Sequence, residues 1–225
     1  MRAGELNPFW RWGLVIAGPL VHLLFRVQVS GMERVPSTGA AILVFNHVSA
    51  LDGPVLAVET GRRLRRKTRY LVAVEYFASR LFGWVLRRAD QIPITRGTGD
   101  TVALENVIEA IKGGALVALA PEGRVDEHGG SQGLQRIRTG VARIALPTGA
   151  PVVPVGIWGT QVRFPRAGLR FSRPLRPRLV IAIGPPLFPV GDAEDPADVE
   201  LFLGRVRELI ETQVAHARRL AGAGG

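Results

Sequence analysis

The sequence predicts an α/β domain: a mainly parallel central sheet flanked by helices, with an N-terminal helical segment suited to a membrane interface. Three observations carry this. Short apolar runs alternate with amphipathic helical patterns. The runs are rich in Val, Ile, Leu and Ala and mostly free of charge, as strands covered on both faces require. An aromatic and apolar stretch studded with arginine opens the chain.

The elements follow in order. Residues 9–29 read FWRWGLVIAGPLVHLLFRVQV, with Phe9, Trp10 and Trp12 ahead of an apolar run from Gly13 to Phe25 that contains Pro19 and His22. A spanning helix needs about 20 apolar residues, so this run is too short to cross a bilayer alone. No small-x-small cleavage pattern follows it. Trp and Arg are at home where lipid meets water, so residues 1–26 are expected at the interface, the ordinary alternative being a core helix. Strands are expected at Ala41–Phe45, Arg69–Val74, Gln91–Ile94, Ala115–Ala120, Pro151–Ile157 and Leu179–Ile183, most of them bounded by Gly or Pro. Helices are expected from Asp52, with Pro54 in the first turn, and at Glu75–Arg88, Thr101–Lys112, Thr139–Leu146 and Pro196–Leu220. Asp100 is the candidate N-cap of the third and Gly113 its stop. Residues 27–220 then form one domain, with a frayed tail at 221–225.

Composition narrows the function. With no cysteine, disulfides, thiol catalysis and cysteine-based zinc sites are excluded. Lys and Arg number 29 against 19 acids, a formal charge of +10, which favours an anionic partner. No helix-turn-helix, aromatic RNA-binding pattern or zinc spacing supports nucleic acid. The cluster RRLRRK at Arg62–Lys67 reads as a solvated loop or as a contact for anionic lipid head groups.

Ligands of open α/β sheets bind beyond the carboxyl ends of the strands. Three stretches leave strands there. In FNHVSALD, His47 ends a strand and Asp52 opens a helix. A turn between them can fold the carboxylate onto the imidazole, fixing one ring nitrogen and raising the basicity of the other. That is the base and orienter of a serine hydrolase without its serine, so the attacking hydroxyl would come from substrate. A purely structural His–Asp pair is the alternative. No other histidine stands at ligand spacing from His47, and no metal is expected. Asn46 and Ser49 are read as supports of the turn. In IPITR, Arg96 follows a strand, either as a surface arginine or as a phosphate ligand. In LAPEGR, Glu122 can accept from a polyol, Gly123 lets backbone approach a ligand, and Arg124 can clamp a phosphate. His22, His128 and His216 receive no role.

NHxSxxD with His-x4-Asp, a strand ending in Arg, PEGR, and VVPVGI at Val152–Ile157 occur in that order. Together they resemble the glycerolipid acyltransferases, the lysophosphatidic acid (1-acyl-sn-glycerol-3-phosphate) acyltransferases among them. The resemblance implies transfer of a fatty acyl group from acyl-CoA or acyl carrier protein, as co-substrate, to a free hydroxyl of a glycerol phosphate lipid. It implies His47 as general base, Asp52 as its partner, and Arg96, Glu122, Gly123 and Arg124 as ligands of the acceptor. Pro154 would be structural or near the acyl donor. No organic cofactor or metal is implied. The expected partners are a lysolipid acceptor, the acyl donor and an anionic membrane surface, at the cytoplasmic face of the cell membrane. The chain departs from the family pattern in lacking a threonine within Glu122-Gly123-Arg124, and in having Val74 where many members carry a lysine. Another lysolipid, glycerol 3-phosphate or an amino-acid lipid as acceptor, and a non-catalytic anionic-lipid-binding protein, are the alternatives.

Overall fold

The computed structural model describes residues 4–95, 99–165, 168–170 and 174–222. Helix α1 (Pro8–Leu24) opens the chain, capped by the Asn7 side chain, which accepts from Trp10 N at 2.9 Å. Strand β1 (Arg26–Ser30) follows, then β2 (Ala41–Phe45), α2 (Asp52–Leu64), β3 (Thr68–Ala73), the short α3 (Val74–Phe77) and α4 (Arg80–Arg88). Next come β4 (Ile92–Ile94), α5 (Thr101–Lys112), β5 (Leu116–Leu119), α6 (Gly140–Thr148), β6 (Val152–Trp158), β7 (Arg178–Ile183) and α7 (Pro196–Gly222). The strands form one sheet in the order β1-β7-β6-β2-β5-β3-β4. Among these strands only β6 and β7 pair antiparallel, and the other strand pairs are parallel.

The charge-free runs form strands because both faces of the sheet are covered. On β2, Ala41, Leu43 and Phe45 face a core shared with α1 and α2, while Ile42 and Val44 face one shared with α5, α6 and α7. Each large aliphatic side chain buried this way contributes about 1.5–3 kcal/mol. Helix α7 lies so close to β6 that a Cβ on Gly156 would sit 2.2 Å from the main chain at Gln213. Glycine is what that approach requires.

Several expectations are corrected. Strand β1, RVQVS, was not anticipated: it is an edge strand, half exposed and without a continuous apolar run. The single helix expected over Glu75–Arg88 breaks after Phe77, and Ser79 caps the second piece by accepting from Phe82 N. Helix α7 continues through Gly222, two residues into the expected tail. Helix α1 packs on α2 and places Val21 and Phe25 in the same core as β2, so no break between cores falls at residue 26.

The basic cluster is not a loop turned to solvent. Arg62 and Arg63 end α2 and pair with buried Glu59 at 3.7 and 2.9 Å. Glu59 also meets His22 of α1 at 2.9 Å. Arg66 is buried and donates to the carbonyls of Pro36, Gly39 and Gly114, gathering the turns that lead into β2 and β5. Burial lowers its pKa to about 10. Lys67, also buried, pairs with Asp90 at 2.6 Å. Two of the cluster's five cations, Arg66 and Lys67, are therefore buried, while Arg62, Arg63 and Arg65 stay exposed.

Candidate active site

The site is built where β2 ends. Phe45 makes the last main-chain pair with β6, opposite Val155. Asn46 then continues the ladder with its side chain: its amide donates to Ile157 O at 3.0 Å and its Oδ1 accepts from Ile157 N at 2.7 Å. The backbone is thereby free to turn while the amide holds the strand end to β6. Ser49 closes the turn, its Oγ donating to Phe164 O at 2.7 Å and accepting from Leu51 N at 3.1 Å.

Asp52 is fully buried in the first turn of α2 and reaches back across the turn. Its Oδ2 accepts from Val48 N and Ser49 N, both at 2.8 Å, and lies 3.1 Å from His47 Nδ1. A carboxylate only accepts, so Nδ1 carries the proton and Nε2 keeps the lone pair. Oδ1 accepts from Thr160 Oγ1 at 2.5 Å. Thr160 lies just past β6, is itself buried, and was missed by sequence reasoning. The only hint was a hydroxyl residue following the VVPVGI strand. The His47 ring keeps some access to solvent and stands edge-on to Phe45, with centroids 6.0 Å apart.

The loop after β5 braces the same turn. Glu122, read from sequence as a polyol ligand, is buried; its Oε1 accepts from His47 N at 2.8 Å and its Oε2 from Gln135 N at 3.0 Å. Burial raises its pKa, against the opposing pull of those two bonds and of His47. The His47 carbonyl in turn accepts from Asp126 N at 2.7 Å. Both backbone polar groups of His47 are thus fixed by residues following β5. Buried Asp126 accepts from Gly130 N, Gln135 Nε2 and His128 N. Burial pushes its pKa up, but these bonds outweigh it and hold the group below its usual range.

Gly123 has φ +73°, and a Cβ there would crowd the Arg138 guanidinium at 2.8 Å, so the turn requires glycine. Arg124 is exposed, with its Nε donating to Gln135 Oε1 at 3.2 Å. β4 closes at Ile94, and Arg96 lies outside the described residues. The structure therefore brings together His47, Asp52, Asn46, Ser49 and Glu122, with Gly123 and Arg124 on the adjoining loop. Pro154 sits buried within β6 beside Val44. Among the described residues, no group of His, Cys, Asp or Glu is arranged to hold a metal, and no helix is long and apolar enough to cross a membrane.

This arrangement can take a proton from a hydroxyl at Nε2 and stabilise the resulting imidazolium through Asp52. The chain is 32% identical over 235 residues to an uncharacterised protein of Mycobacterium leprae, covering 88% of this chain and 61% of that one. It is 27% identical over 143 residues to the chloroplastic 1-acyl-sn-glycerol-3-phosphate acyltransferase of Arabidopsis thaliana, covering 62% of this chain and 38% of that one. The chain thus spans less than two thirds of the length of these relatives. Its fold matches the crystal structure of the 1-acyl-sn-glycerophosphate acyltransferase PlsC of Thermotoga maritima with a TM-score of 0.69, over 94% of this chain and 79% of that one, at 21% identity. The acyltransferase family model matches residues 26–158, a span that holds His47, Asp52, Glu122 and Pro154, and the chain belongs to that family.

Proposed function

We propose that this protein transfers a fatty acyl group from acyl-CoA, or from acyl carrier protein, to the free hydroxyl of 1-acyl-sn-glycerol 3-phosphate, giving phosphatidic acid. The observation that carries the reading is the His47–Asp52 pair at the carboxyl end of β2, inside the matched family region. His47 Nε2 takes the acceptor's hydroxyl proton as the oxygen attacks the thioester carbonyl. The tetrahedral intermediate collapses, the carbon–sulfur bond breaks, and the thiolate leaves with the proton from His47. Ester and free thiol are the products, and no redox change occurs. Asp52 holds Nδ1–H and offsets the imidazolium charge. Arg96 and Arg124 bind the acceptor's phosphate, and Gly123 keeps the loop close to it. Glu122 acts through the His47 backbone as well as bordering the acceptor.

The protein works as a peripheral or monotopic enzyme on the cytoplasmic face of the cell membrane. Support comes from α1, whose outward residues Trp12, Val15, Ile16, Leu20 and Leu23 are exposed although its inward face is also apolar. A helix apolar on all sides suits a protein surface on one side and lipid on the other.

One observation favours a second acceptor. Val74 is exposed at the carboxyl end of β3, where a lysine would add charge for phosphate. A lysolipid with a different head group is the alternative. The experiment is incubation of the purified protein with acyl-CoA and a panel of acceptors in vesicles, with lipid products identified by mass spectrometry. Phosphatidic acid formed from lysophosphatidic acid, ahead of products from lysophosphatidylethanolamine, lysophosphatidylglycerol and glycerol 3-phosphate, is the expected result. A dominant product from another acceptor would transfer the reading to that lipid.

A further inference from the structure

Helices α3 and α4 are built the reverse of a helix that covers a sheet. The buried residue of α4 is Gly83, while Leu81, Phe82 and Trp84 are 70%, 63% and 47% exposed. Tyr76 of α3 is exposed beside them. A run of large apolar side chains directed outward over so short a stretch marks an interaction surface. The charge of α4 has one sign, RLFGWVLRR carrying exposed Arg80, Arg87 and Arg88 and no acid, while α3 adds a single exposed acid, Glu75. The Arg88 guanidinium lies over the Trp84 ring at 5.8 Å.

The surface is continuous with α1. Phe9 meets Trp84 edge-on with centroids 5.4 Å apart, and Trp10 Nε1 donates to Ala89 O at 3.1 Å. It also begins at the catalytic end of the sheet, since α3 starts directly after β3, which lies beside β5 and parallel to it.

We propose that α3–α4 is a second membrane-contact surface, in which Tyr76, Leu81, Phe82 and Trp84 enter the head-group region of an anionic bilayer and the arginines bind lipid phosphates. This rests on the reading of the protein as an enzyme acting at a membrane. Protruding aromatic and aliphatic groups need no pocket in a bilayer, and arginines beside them meet phosphate at that depth. A second copy of the chain fits less well, because a two-fold contact would set Arg80, Arg87 and Arg88 against their own copies. Contacts through both α1 and α4 would fix the rotation of the domain on the surface. The carboxyl end of the sheet would then face lipid, where a lysolipid's hydroxyl lies.

The chain has no cysteine, so a single one can report a single position. The test places an environment-sensitive nitrobenzoxadiazole label on Leu81→Cys and, as control, on Leu201→Cys of α7, which is also exposed. Each is mixed with vesicles of phosphatidylglycerol and phosphatidylcholine. A blue shift with rising emission at position 81 and none at 201 is expected. The unlabelled double variant Leu81→Ser/Phe82→Ser should sediment with these vesicles roughly tenfold less, with an unchanged thermal midpoint. An unmoved label at 81 on vesicles that do carry the protein down would overturn the proposal. So would failure to bind anionic vesicles, or a shift without vesicles that grows with protein concentration, which would report self-association. Neither readout measures acyl transfer, so loss of the catalytic reading and loss of this surface are separable.

Discussion

Asp52 accepts hydrogen bonds from His47 Nδ1, Val48 N, Ser49 N and Thr160 Oγ1, and only the last comes from a distant part of the chain. That difference explains what was legible at the scale of residues. His47 and Asp52 could be paired from sequence because one turn joins them. Thr160 could not, because 108 positions separate it from Asp52 and no periodicity links them. Glu122 was found, but its engagement with the His47 main chain was hidden by the same distance. Thr160→Val removes the one donor to Oδ1 that comes from a side chain across the sheet end. A buried carboxylate oxygen left unpaired costs about 1–3 kcal/mol, so turnover should fall about tenfold with KM little changed. Thr160→Ser keeps the hydroxyl and should restore most of the rate. Steady-state kinetics of both variants decide this, since a merely structural threonine would not be rescued through kcat alone.

At the scale of elements, hydrophobic pattern located the strands that are covered on both faces, because there burial leaves an unbroken apolar run. It failed where tertiary context replaced that signal. Strand β1 borrows its stability from pairing with β7 and shows no such run. The segment after β3 reads as one helix, yet its large side chains turn outward. Contact between elements also sets the cost of change. Gly156→Ala would drive a Cβ into the α7 main chain at Gln213. Overpacking that displaces backbone costs about 1–3 kcal/mol. The urea midpoint should fall accordingly with the m-value unchanged.

At the scale of the whole molecule, the net charge of +10 pointed to an anionic partner but not to where it binds. The RRLRRK cluster reads from sequence as a solvated loop or a lipid contact, whereas Arg66 and Lys67 are buried as structural cations. Sequence counts charges and does not show which are already paired. The buried acids of the loop after β5 also tie global stability to pH. Asp126 has a folded pKa below its unfolded value, so its contribution is present above the ordinary aspartate range and is lost as pH falls through the depressed value. Glu122 has the opposite sign: its raised folded pKa makes ionisation costly to the fold, and acidification relieves that cost. Urea midpoints measured across the acid range should therefore fall less steeply on acidification for Asp126→Asn than for the unaltered protein. For Glu122→Gln they should fall more steeply.

The central claim is that His47, oriented by Asp52, is the base of an acyl transfer. Its most direct test is thiol release from acyl-CoA by the protein on vesicles, with and without lysophosphatidic acid, beside His47→Ala. A positioned base contributes about 10² to 10⁴ in rate, so release should require the acceptor and fall by at least that order in a variant that melts like the unaltered protein. Acceptor-dependent release at an unchanged rate in folded His47→Ala would contradict the account.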